Sequence, residues 1–279
     1  RKEKSGELRG LTRLSQFTLA DAHVLCTPEQ IEEEFIKVMD LIKYTMKILG
    51  IEVWYRFSKW DPENKKGKYV DNPKAWEHTQ KFMKKILDKM EVKYIEAEDE
   101  AAFYGPKLDL QYKDVYGKED SLITLQIDFA LPEKFDLKYT DKDGKEKLAM
   151  VIHRSSTGCT ERTISYILEK TQGNLPLWLS PIQTKVMSMN EDVKDYALQI
   201  NKKLLDTGIR SELDNRNESI GKKVKGAITE KAFYLITVGE QEMKENKIAV
   251  RKRDSKEIIT MTLEEFREKI NTEIFKKTL

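Results

Sequence analysis

The sequence is poor in the residues and patterns that define several large classes of protein. Two cysteines, Cys26 and Cys159, and three histidines occur among its 279 residues. Two cysteines cannot build the disulfide framework of a small secreted domain, and they suit a reducing cytosol. No apolar run approaches the ~18–20 residues that a membrane-spanning helix needs, and no signal-peptide pattern is visible. We therefore expect a cytoplasmic protein without a membrane span.

An excess of charge of one sign is also missing. The chain carries 50 Lys and Arg residues against 48 Asp and Glu residues, which gives a net charge of +2. This balance excludes a general polyanion-binding tail, so any contact with nucleic acid has to use a local patch. No P-loop, GxGxxG, GxSxG or HExxH motif occurs, so the common nucleotide-binding and hydrolase fingerprints are absent. The chain begins with Arg1 rather than Met, and we expect that it starts within a domain.

The composition and the pattern along the chain predict two domains. Hydrophobic residues make up 39% and charged residues 35% of the chain, and its length is close to twice the ~150 residues of a typical domain. Up to Gln172, several antiparallel strands with helices set to the side predict an α+β domain. After Leu175-Pro176 and Pro181, strands alternate with helices, which predicts a smaller α/β domain with a mixed sheet. The predicted domains are residues 1–178 and 179–279.

Local signals predict the main elements of the first domain. Thr27-Pro28 has the residue types that start a helix, and Gly50 is typical of its end. Asn72-Pro73 predicts the start of a second helix, and Asp143-Gly144 predicts a β-hairpin. Residues 6–17 are expected to form a hairpin-like pair of extended segments.

The histidines are the first candidates for chemistry. His23 and His153 each end a strand-like stretch and could both ligate Zn²⁺, but a zinc site needs at least three protein ligands. Cys26 is the local third candidate, although its place just before a helix start favours a small buried thiol. His78 lies on the polar side of the second helix and is expected at the surface. Spacing alone leaves a metal site and an ordinary structural role open.

A set of arginines lies in a β-rich region that otherwise prefers lysine. The planar guanidinium fork suits phosphate and carboxylate groups better than a point charge does. The members of the set are Arg1, Arg9, Arg13, Arg154 and Arg162. Composition alone favours a surface role for them, and anion binding is the alternative.

Six segments in a fixed order resemble the threonyl-tRNA synthetase family of class II aminoacyl-tRNA synthetases. The segments are residues 5–13 and 17–23 (motif 2 and its continuation), 102–107 (a substrate turn), 126–129 (the following strand), 152–162 (the motif 3 region) and 178–183 (the entry to the anticodon-binding domain). The resemblance implies a class II antiparallel sheet with flanking helices, followed by an α/β anticodon-binding domain. The family's motif 1 is expected outside this chain.

The resemblance implies a zinc ion that binds the amino group and the hydroxyl of threonine. Two of the family's zinc ligands correspond to His23 and His153, and the third is a Cys on a segment upstream of this chain. The resemblance places Asp21 at the substrate hydroxyl and Tyr104 at the substrate amino group. Zinc would reject valine, which offers a methyl group where the metal requires oxygen.

The resemblance also implies an ATP site, with Mg²⁺ accompanying the nucleotide. The implied residues are Arg1 and Lys107 at the α-phosphate, Glu3 and Phe17 at the adenine, Arg13 and Arg162 at the triphosphate, and Gln126 in the same site. Five positions depart from the residues common in the family, namely Ser15, Leu19, Ser121, Cys159 and Lys225. Their effect on substrate contacts stays open.

In the second domain, the resemblance implies recognition of the tRNA(Thr) anticodon by Asn217, Lys225, Glu242 and Arg251. Unpaired bases are read by edge hydrogen bonds and stacking, which suits this mixed chemistry. A basic set is implied to contact tRNA phosphates, and its members are Lys222, Lys223, Lys225 and Lys231. The full-length protein is expected to be a homodimer.

The predicted function is therefore ATP-dependent activation of threonine and its transfer to the 3′ end of tRNA(Thr). One alternative is a catalytically silent paralogue that acts as an RNA-binding or regulatory protein. Another is a different class II enzyme, such as the prolyl one, which would need no metal between His23 and His153.

Overall fold

The computed structural model describes residues 4–63 and 67–279, and in it the chain divides into two units, Arg1–Lys170 and Thr171–Leu279. Each unit has its own sheet and helices, and the predicted α+β class is confirmed. The sequence-based boundary between residues 178 and 179 stays a prediction. Within the described ranges, no helix is both long and apolar enough to cross a membrane.

A six-stranded sheet with flanking helices forms the first unit. Its elements are β1 (Leu19–Cys26), α1 (Ile31–Leu49), β2 (Trp54–Ser58), α2 (Pro73–Lys89), β3 (Tyr94–Ala97), β4 (Lys107–Lys113), β5 (Glu119–Asp128), α3 (Leu131–Lys134), β6 (Lys138–Thr140), β7 (Glu146–Leu148), β8 (Met150–Cys159) and α4 (Thr160–Thr171). The strand order is β1-β8-β5-β4-β2-β3. β2 and β3 run parallel, and the other neighbours run antiparallel. β6 and β7 form the separate hairpin that Asp143-Gly144 predicts.

The two faces of this sheet differ in chemistry, because successive side chains of a strand point to opposite sides. On one face, Leu108, Leu125, Ile127 and Ile152 stand opposite one another across the strands and are fully buried. Burial of each such side chain contributes about 1.5–3 kcal/mol. The other face carries polar residues from the same strands, so it is the face that can hold a site.

Helix α1 packs against β8 and β1, and its buried residues Phe35, Met39 and Ile42 recur at helical spacing. The helix ends at Gly50, as the sequence predicts. It begins later than Thr27-Pro28 suggests, because residues 28–30 form a turn in which the Gln30 side chain accepts a hydrogen bond from the Thr27 N–H at 3.0 Å.

The segment ahead of β1 does not form the pair of extended segments predicted for residues 6–17. Turns predominate there, with an isolated bridge between Arg9 and Arg13. The N–H groups of Thr12 and Arg13 donate to the Arg9 carbonyl at 3.0 and 3.1 Å. Two glycines, Gly6 and Gly10, in residues 6–17 favour turns over continuous strands, and this outweighs the short alternation of apolar residues.

A mixed five-stranded sheet between two layers of helices forms the second unit. Its elements are β9 (Thr184–Ser188), α5 (Lys194–Leu205), β10 (Ser211–Asp214), α6 (Ile220–Thr229), β11 (Tyr234–Val238), α7 (Glu240–Glu245), β12 (Ile248–Lys252), β13 (Ile258–Met261) and α8 (Leu263–Lys276). The strand order is β10-β9-β11-β12-β13, with β9 parallel to β10 and β11 and the remaining pairs antiparallel. This is the mixed sheet that the sequence predicts.

Alternation along β9 and β11 gives this unit two cores. Val186 and Ile236 pack with residues of α5 and α8, such as Leu204 and Phe266. The adjacent residues Met187 and Leu235 pack on the other side with Ala227 of α6. Because both faces are covered, side chains available for binding have to lie at strand ends, in loops or at the edges.

Candidate functional site

A row of polar side chains crosses the open face of the first sheet. His23 of β1 stands opposite His153 of β8, His153 stands opposite Gln126 of β5, and Gln126 stands opposite Lys107 of β4. Residues directly opposite each other on antiparallel strands have Cβ atoms only about 4.5–5.5 Å apart. The strand register therefore brings together four predicted site residues that lie far apart in the sequence.

The two histidine rings are in contact and one of them is oriented by a carboxylate. Their ring centroids lie 4.5 Å apart with an interplanar angle of 81°. His153 Nε2 lies 2.7 Å from Asp128 Oδ2, and Asp128 Oδ1 accepts hydrogen bonds from the N–H groups of Ala130 and Leu131 at 2.9 Å. Asp128 is fully buried. The sequence reasoning gave it no role, although a carboxylate ending an otherwise buried strand was a usable signal.

Tyr104 packs on this pair as a neutral phenol. Its ring centroid lies 4.9 Å from that of His153, and its hydroxyl donates a hydrogen bond to Gln126 Oε1. Burial raises the pKa of Tyr104 to about 12, and the charges of Asp128 and Asp21 act in the same direction. The phenol therefore keeps its proton at neutral pH.

The turn that carries Tyr104 is docked on β5 by its backbone. The Phe129 N–H donates to the Tyr104 carbonyl at 3.3 Å, and a Cβ on Gly105 would lie 1.8 Å from the Ile127 carbonyl oxygen. A side chain at residue 105 would thus displace the turn, so glycine is required there.

The histidine pair fits part of a zinc site. Zinc binds imidazole nitrogen. The other ring nitrogen of a metal-binding histidine usually forms a hydrogen bond with a carboxylate or a carbonyl, and His153 forms such a bond with Asp128. In the described part of the chain, no group of three or more His, Cys, Asp or Glu residues could hold a metal ion. Cys26 is buried and, three residues beyond His23 in β1, lies on the opposite face of the strand. Burial, with a smaller effect of Glu34, raises the pKa of the Cys26 thiol to about 11.

A cavity of about 370 Å³ lies beside this row of side chains. Four predicted site residues line it: Arg13, Phe17, Asp21 and Arg162. Asp21 also belongs to the face of the histidines, because it precedes His23 by two residues in β1. The structure therefore places an arginine-lined cavity next to the histidine pair, with Asp21 common to both.

The walls of the cavity are fixed by close backbone packing. Gly158 has φ +70°, and a Cβ there would lie 2.0 Å from the Leu122 carbonyl oxygen. Arg162 Nε donates to the Thr12 carbonyl at 3.0 Å, and the Arg13 guanidinium lies 3.5 Å from the Glu7 carboxylate. These contacts hold both arginines at the rim.

Other predicted residues of the first unit stand elsewhere. Arg1 and Glu3 lie outside the described residues. Arg154 stands opposite Ala22 and Leu125, which puts it on the other face of the sheet from the histidines. It therefore does not join Arg13 and Arg162, contrary to its grouping with them by residue type.

Lys107 belongs to a charged network that the sequence reasoning missed. Its Nζ lies 3.0 Å from Asp109 Oδ1, and Asp109 Oδ2 accepts hydrogen bonds from Ser58 Oγ at 2.6 Å and Arg56 Nη2 at 3.3 Å. Arg56 and Asp109 stand opposite each other on β2 and β4. In the sequence these residues are the ordinary polar members of alternating strands, and no local signal distinguishes them.

The candidate residues of the second unit fall into two groups. Glu242 and Arg251 line a cavity of about 360 Å³. Glu242 Oε2 accepts a hydrogen bond from the Gly239 N–H at 2.9 Å, and Arg251 Nε donates to the Ser255 carbonyl at 2.6 Å. Asn217, in the loop after β10, and Lys225, on α6, are exposed and are not part of that cavity's lining.

One predicted phosphate contact is wrong. Lys223 is 1% exposed, and its Nζ donates to the Ser188 carbonyl at 2.7 Å and to Ser188 Oγ at 3.2 Å. Burial lowers the pKa of Lys223 below its usual value. The spacing of four lysines on and beside α6 suggests one solvated surface, but Lys223 lies on the helix side that faces the sheet.

Comparisons with known proteins identify both units. Residues 1–171 match the tRNA synthetase class II core domain (G, H, P, S and T), and residues 180–273 match the anticodon binding domain. A threonine–tRNA ligase of Clostridium perfringens is 50% identical over 276 residues, which is 98% of this chain and 43% of that protein. The chain thus spans less than half the length of the curated relatives it matches.

Solved structures give the same assignment of fold. The RNA binding domain of threonyl-tRNA synthetase from Cryptosporidium parvum superposes with a TM-score of 0.90 at 33% identity, over 97% of this chain and 67% of that one. A prolyl-tRNA synthetase from the same organism, complexed with L-proline and AMP, gives a TM-score of 0.65 at 14% identity, over 98% of this chain and 51% of that one. The second likeness concerns the fold alone.

Proposed function

Because the chain belongs to the class II tRNA synthetase family and continues into an anticodon-binding domain, we propose that the protein activates threonine with ATP and transfers it to the 3′ end of tRNA(Thr). The observation that carries this proposal is the contact of His23 with His153 beside an arginine-lined cavity. The 50% identity to threonine–tRNA ligases supports threonine over other amino acids.

The histidine pair is proposed to hold the amino acid through zinc. His23 and His153 would supply two ligands, and a cysteine upstream of this chain would supply the third. Zinc, when bound, would coordinate the amino group and the hydroxyl of threonine, which selects for a β-hydroxyl. Asp21 would accept a hydrogen bond from that hydroxyl, and the Tyr104 oxygen would accept one from the amino group.

The arginine-lined cavity is proposed to bind ATP with Mg²⁺. Arg13 and Arg162 would hold the triphosphate, Phe17 would stack on adenine, and Lys107 would stand at the α-phosphate with Gln126 nearby. Arg1 and Glu3 are assigned to the same site by resemblance. These fixed cations would stabilise the charge that develops on the phosphates as the threonine carboxylate attacks the α-phosphorus and pyrophosphate leaves.

The second unit is proposed to read the anticodon through Asn217, Lys225, Glu242 and Arg251. Glu242 and Arg251 share one cavity, and a carboxylate beside a guanidinium offers an acceptor and donors to the edge of an unpaired base. A homodimer of the full-length protein completes the proposal, and sedimentation analysis tests it.

Amino acid-dependent ATP–pyrophosphate exchange by the full-length protein tests the proposed function. We expect exchange with threonine, weak exchange with serine and none with proline, together with about one zinc per active site. Exchange with proline and no bound zinc would favour a prolyl-type enzyme. Absence of exchange with any amino acid, with tRNA binding retained, would favour a non-catalytic RNA-binding protein.

A further inference from the structure

A buried carboxylate lies on the polar face of the first sheet, outside the residues assigned to any substrate. Asp109 of β4 is fully buried. Three donors converge on it: Lys107 Nζ at 3.0 Å on Oδ1, and Ser58 Oγ at 2.6 Å and Arg56 Nη2 at 3.3 Å on Oδ2. A buried carboxyl group without partners would be very costly, and these three donors offset the cost of its burial.

The charges of this group do not cancel. One carboxylate faces two cations, and each of its oxygens accepts from one of them. The Lys107 side chain is 18% exposed and the Arg56 side chain 30% exposed, so both cationic side chains reach the open face rather than the core. Arg56 Nε has no hydrogen-bond partner among the described residues. The group thus presents one excess positive charge where an anionic substrate can meet it.

The side chain of a solvent-exposed lysine loses rotamer freedom when it binds a phosphate group. The Lys107 side chain has already lost that freedom, because its ammonium forms an ion pair with Asp109. The Asp109 carboxylate also accepts hydrogen bonds from Ser58 and Arg56. Preorganised charge of this kind stabilises a transition state without further reorganisation.

We propose that Asp109 is a positioning residue, which holds Lys107 and Arg56 so that both present their charge to the phosphate groups of ATP during amino acid activation. This inference rests on the proposed function. It adds Arg56 to the phosphate-binding side chains and gives Asp109 a role that is exerted through Lys107. In the activation step, the threonine carboxylate bonds to the α-phosphorus, the bond to pyrophosphate breaks, and no proton moves to or from the Asp109 group.

Asp109→Asn, Lys107→Met and the double variant of the full-length protein test the proposal in threonine-dependent exchange. We expect Asp109→Asn to lower kcat by about a hundredfold, since misplacement by ~1 Å has this effect, with the KM for threonine changed less than about twofold. If Asp109 acts through Lys107, adding Asp109→Asn to the Lys107→Met variant lowers kcat little further. Full additivity of the two losses would overturn the proposal, because it would indicate a role independent of Lys107.

Two controls separate positioning from folding. Asp214→Asn removes another buried carboxylate that pairs with an arginine, in the second unit, and should leave exchange unchanged. If Asp109→Asn does not fold, Asp109→Glu keeps the charge and displaces it by one methylene, and we expect a loss of about tenfold or more in kcat. Wild-type kcat in Asp109→Glu would overturn the proposal.

ATP affinity, measured by calorimetry on the same variants, separates this proposal from the proposed function. Weaker ATP binding by Asp109→Asn and by Arg56→Gln supports the positioning role even if the wild-type protein shows no exchange with threonine. ATP binding unchanged in both variants would overturn it even if exchange with threonine is strong.

Discussion

In the first unit the candidate side chains stand mainly on neighbouring strands of one sheet, whereas in the second unit they stand on a loop, two helices and one strand. The first sheet leaves one face polar, so its register can set a row such as His23, His153 and Gln126. The second sheet is covered by helices on both faces, which moves binding residues to its margins. Chemistry that needs fixed distances suits the first arrangement, and recognition of flexible single-stranded bases suits the second.

The same contrast appears in two lysines, of which Lys107 is partly exposed and Lys223 is buried. Lys107 pairs with a carboxylate and still reaches the open face. Lys223 is sealed from solvent against neutral oxygens of Ser188. A lysine that pairs with a carboxylate on an open sheet face can contact a substrate, whereas a lysine buried against neutral groups can only stabilise the fold.

The largest expected effect concerns the close packing of the first unit. Gly158→Ala should lower the free energy of unfolding of that unit by about 3–5 kcal/mol, because the new methyl group meets the Leu122 carbonyl and the backbone has positive φ. Gly208→Ala in the second unit has a similar φ of +80° but nothing within 4 Å of the added Cβ, so about 1–2 kcal/mol is expected. Hydrogen exchange reports each unit separately. Equal losses would show that the backbone contact is unimportant.

The next largest effect should distinguish the proposed tRNA binding from the proposed activation of threonine. Arg251→Ala removes donors from the cavity of the second unit, and tRNA(Thr) affinity should fall by about ten- to a hundredfold. Threonine-dependent exchange without tRNA should stay unchanged, because the residues proposed for it lie in the first unit. Filter binding and exchange measure the two properties. Lys276→Ala, on α8, is the control for lost charge; if it weakens tRNA binding as much as Arg251→Ala, the cavity has no special role.

The smallest effect concerns two buried lysines of the second unit with opposite pH dependence. Burial lowers the pKa of Lys223, so the unfolded chain binds the extra proton and stability rises with pH up to the usual lysine range. Burial also acts to lower the pKa of Lys185, but the hydrogen bonds that Lys185 donates to Glu212 and Glu230 outweigh it and raise that pKa. The stability contributed by Lys185 is therefore lost above the usual lysine range.

Urea unfolding between about pH 9 and 11 checks these signs. Lys223→Met should remove a rise in the free energy of unfolding with pH, and Lys185→Met should remove a fall. The two variants serve as controls for each other, since other groups titrate in the same range. If the free energy of unfolding depends on pH in the same way in both variants, the opposite directions assigned to the pKa values of Lys223 and Lys185 are wrong.

Much of the fold could be predicted from local signals. Turn residues such as Asp143-Gly144 predict hairpins, and the change of pattern near Pro181 predicts a second sheet of mixed direction. The turns ahead of β1 were missed, because two glycines in residues 6–17 outweigh a short apolar alternation. Such errors concern local competition between strand and turn, which a single sequence resolves poorly.

The site could be predicted only where a family resemblance supplied the pairing. The contact of His23 with His153 depends on strand register over 130 residues, and no local pattern encodes it. Asp128, Asp109 and Arg56 were missed for the same reason, because their partners lie on other strands. Lys223 was assigned to the surface because charge patterning shows residue types and not which helix side meets a sheet.

The register of the strands that carry the polar row also limits which insertions the gene can tolerate. One codon inserted within Leu19–Cys26 would shift the pairing of β1 by one residue and turn Asp21 and His23 away from their partners together. The same insertion at the tip of the β6–β7 hairpin would lengthen a loop and leave the sheet intact. Length variation among descendants of this gene should therefore collect in its surface turns and spare the strands that carry the site.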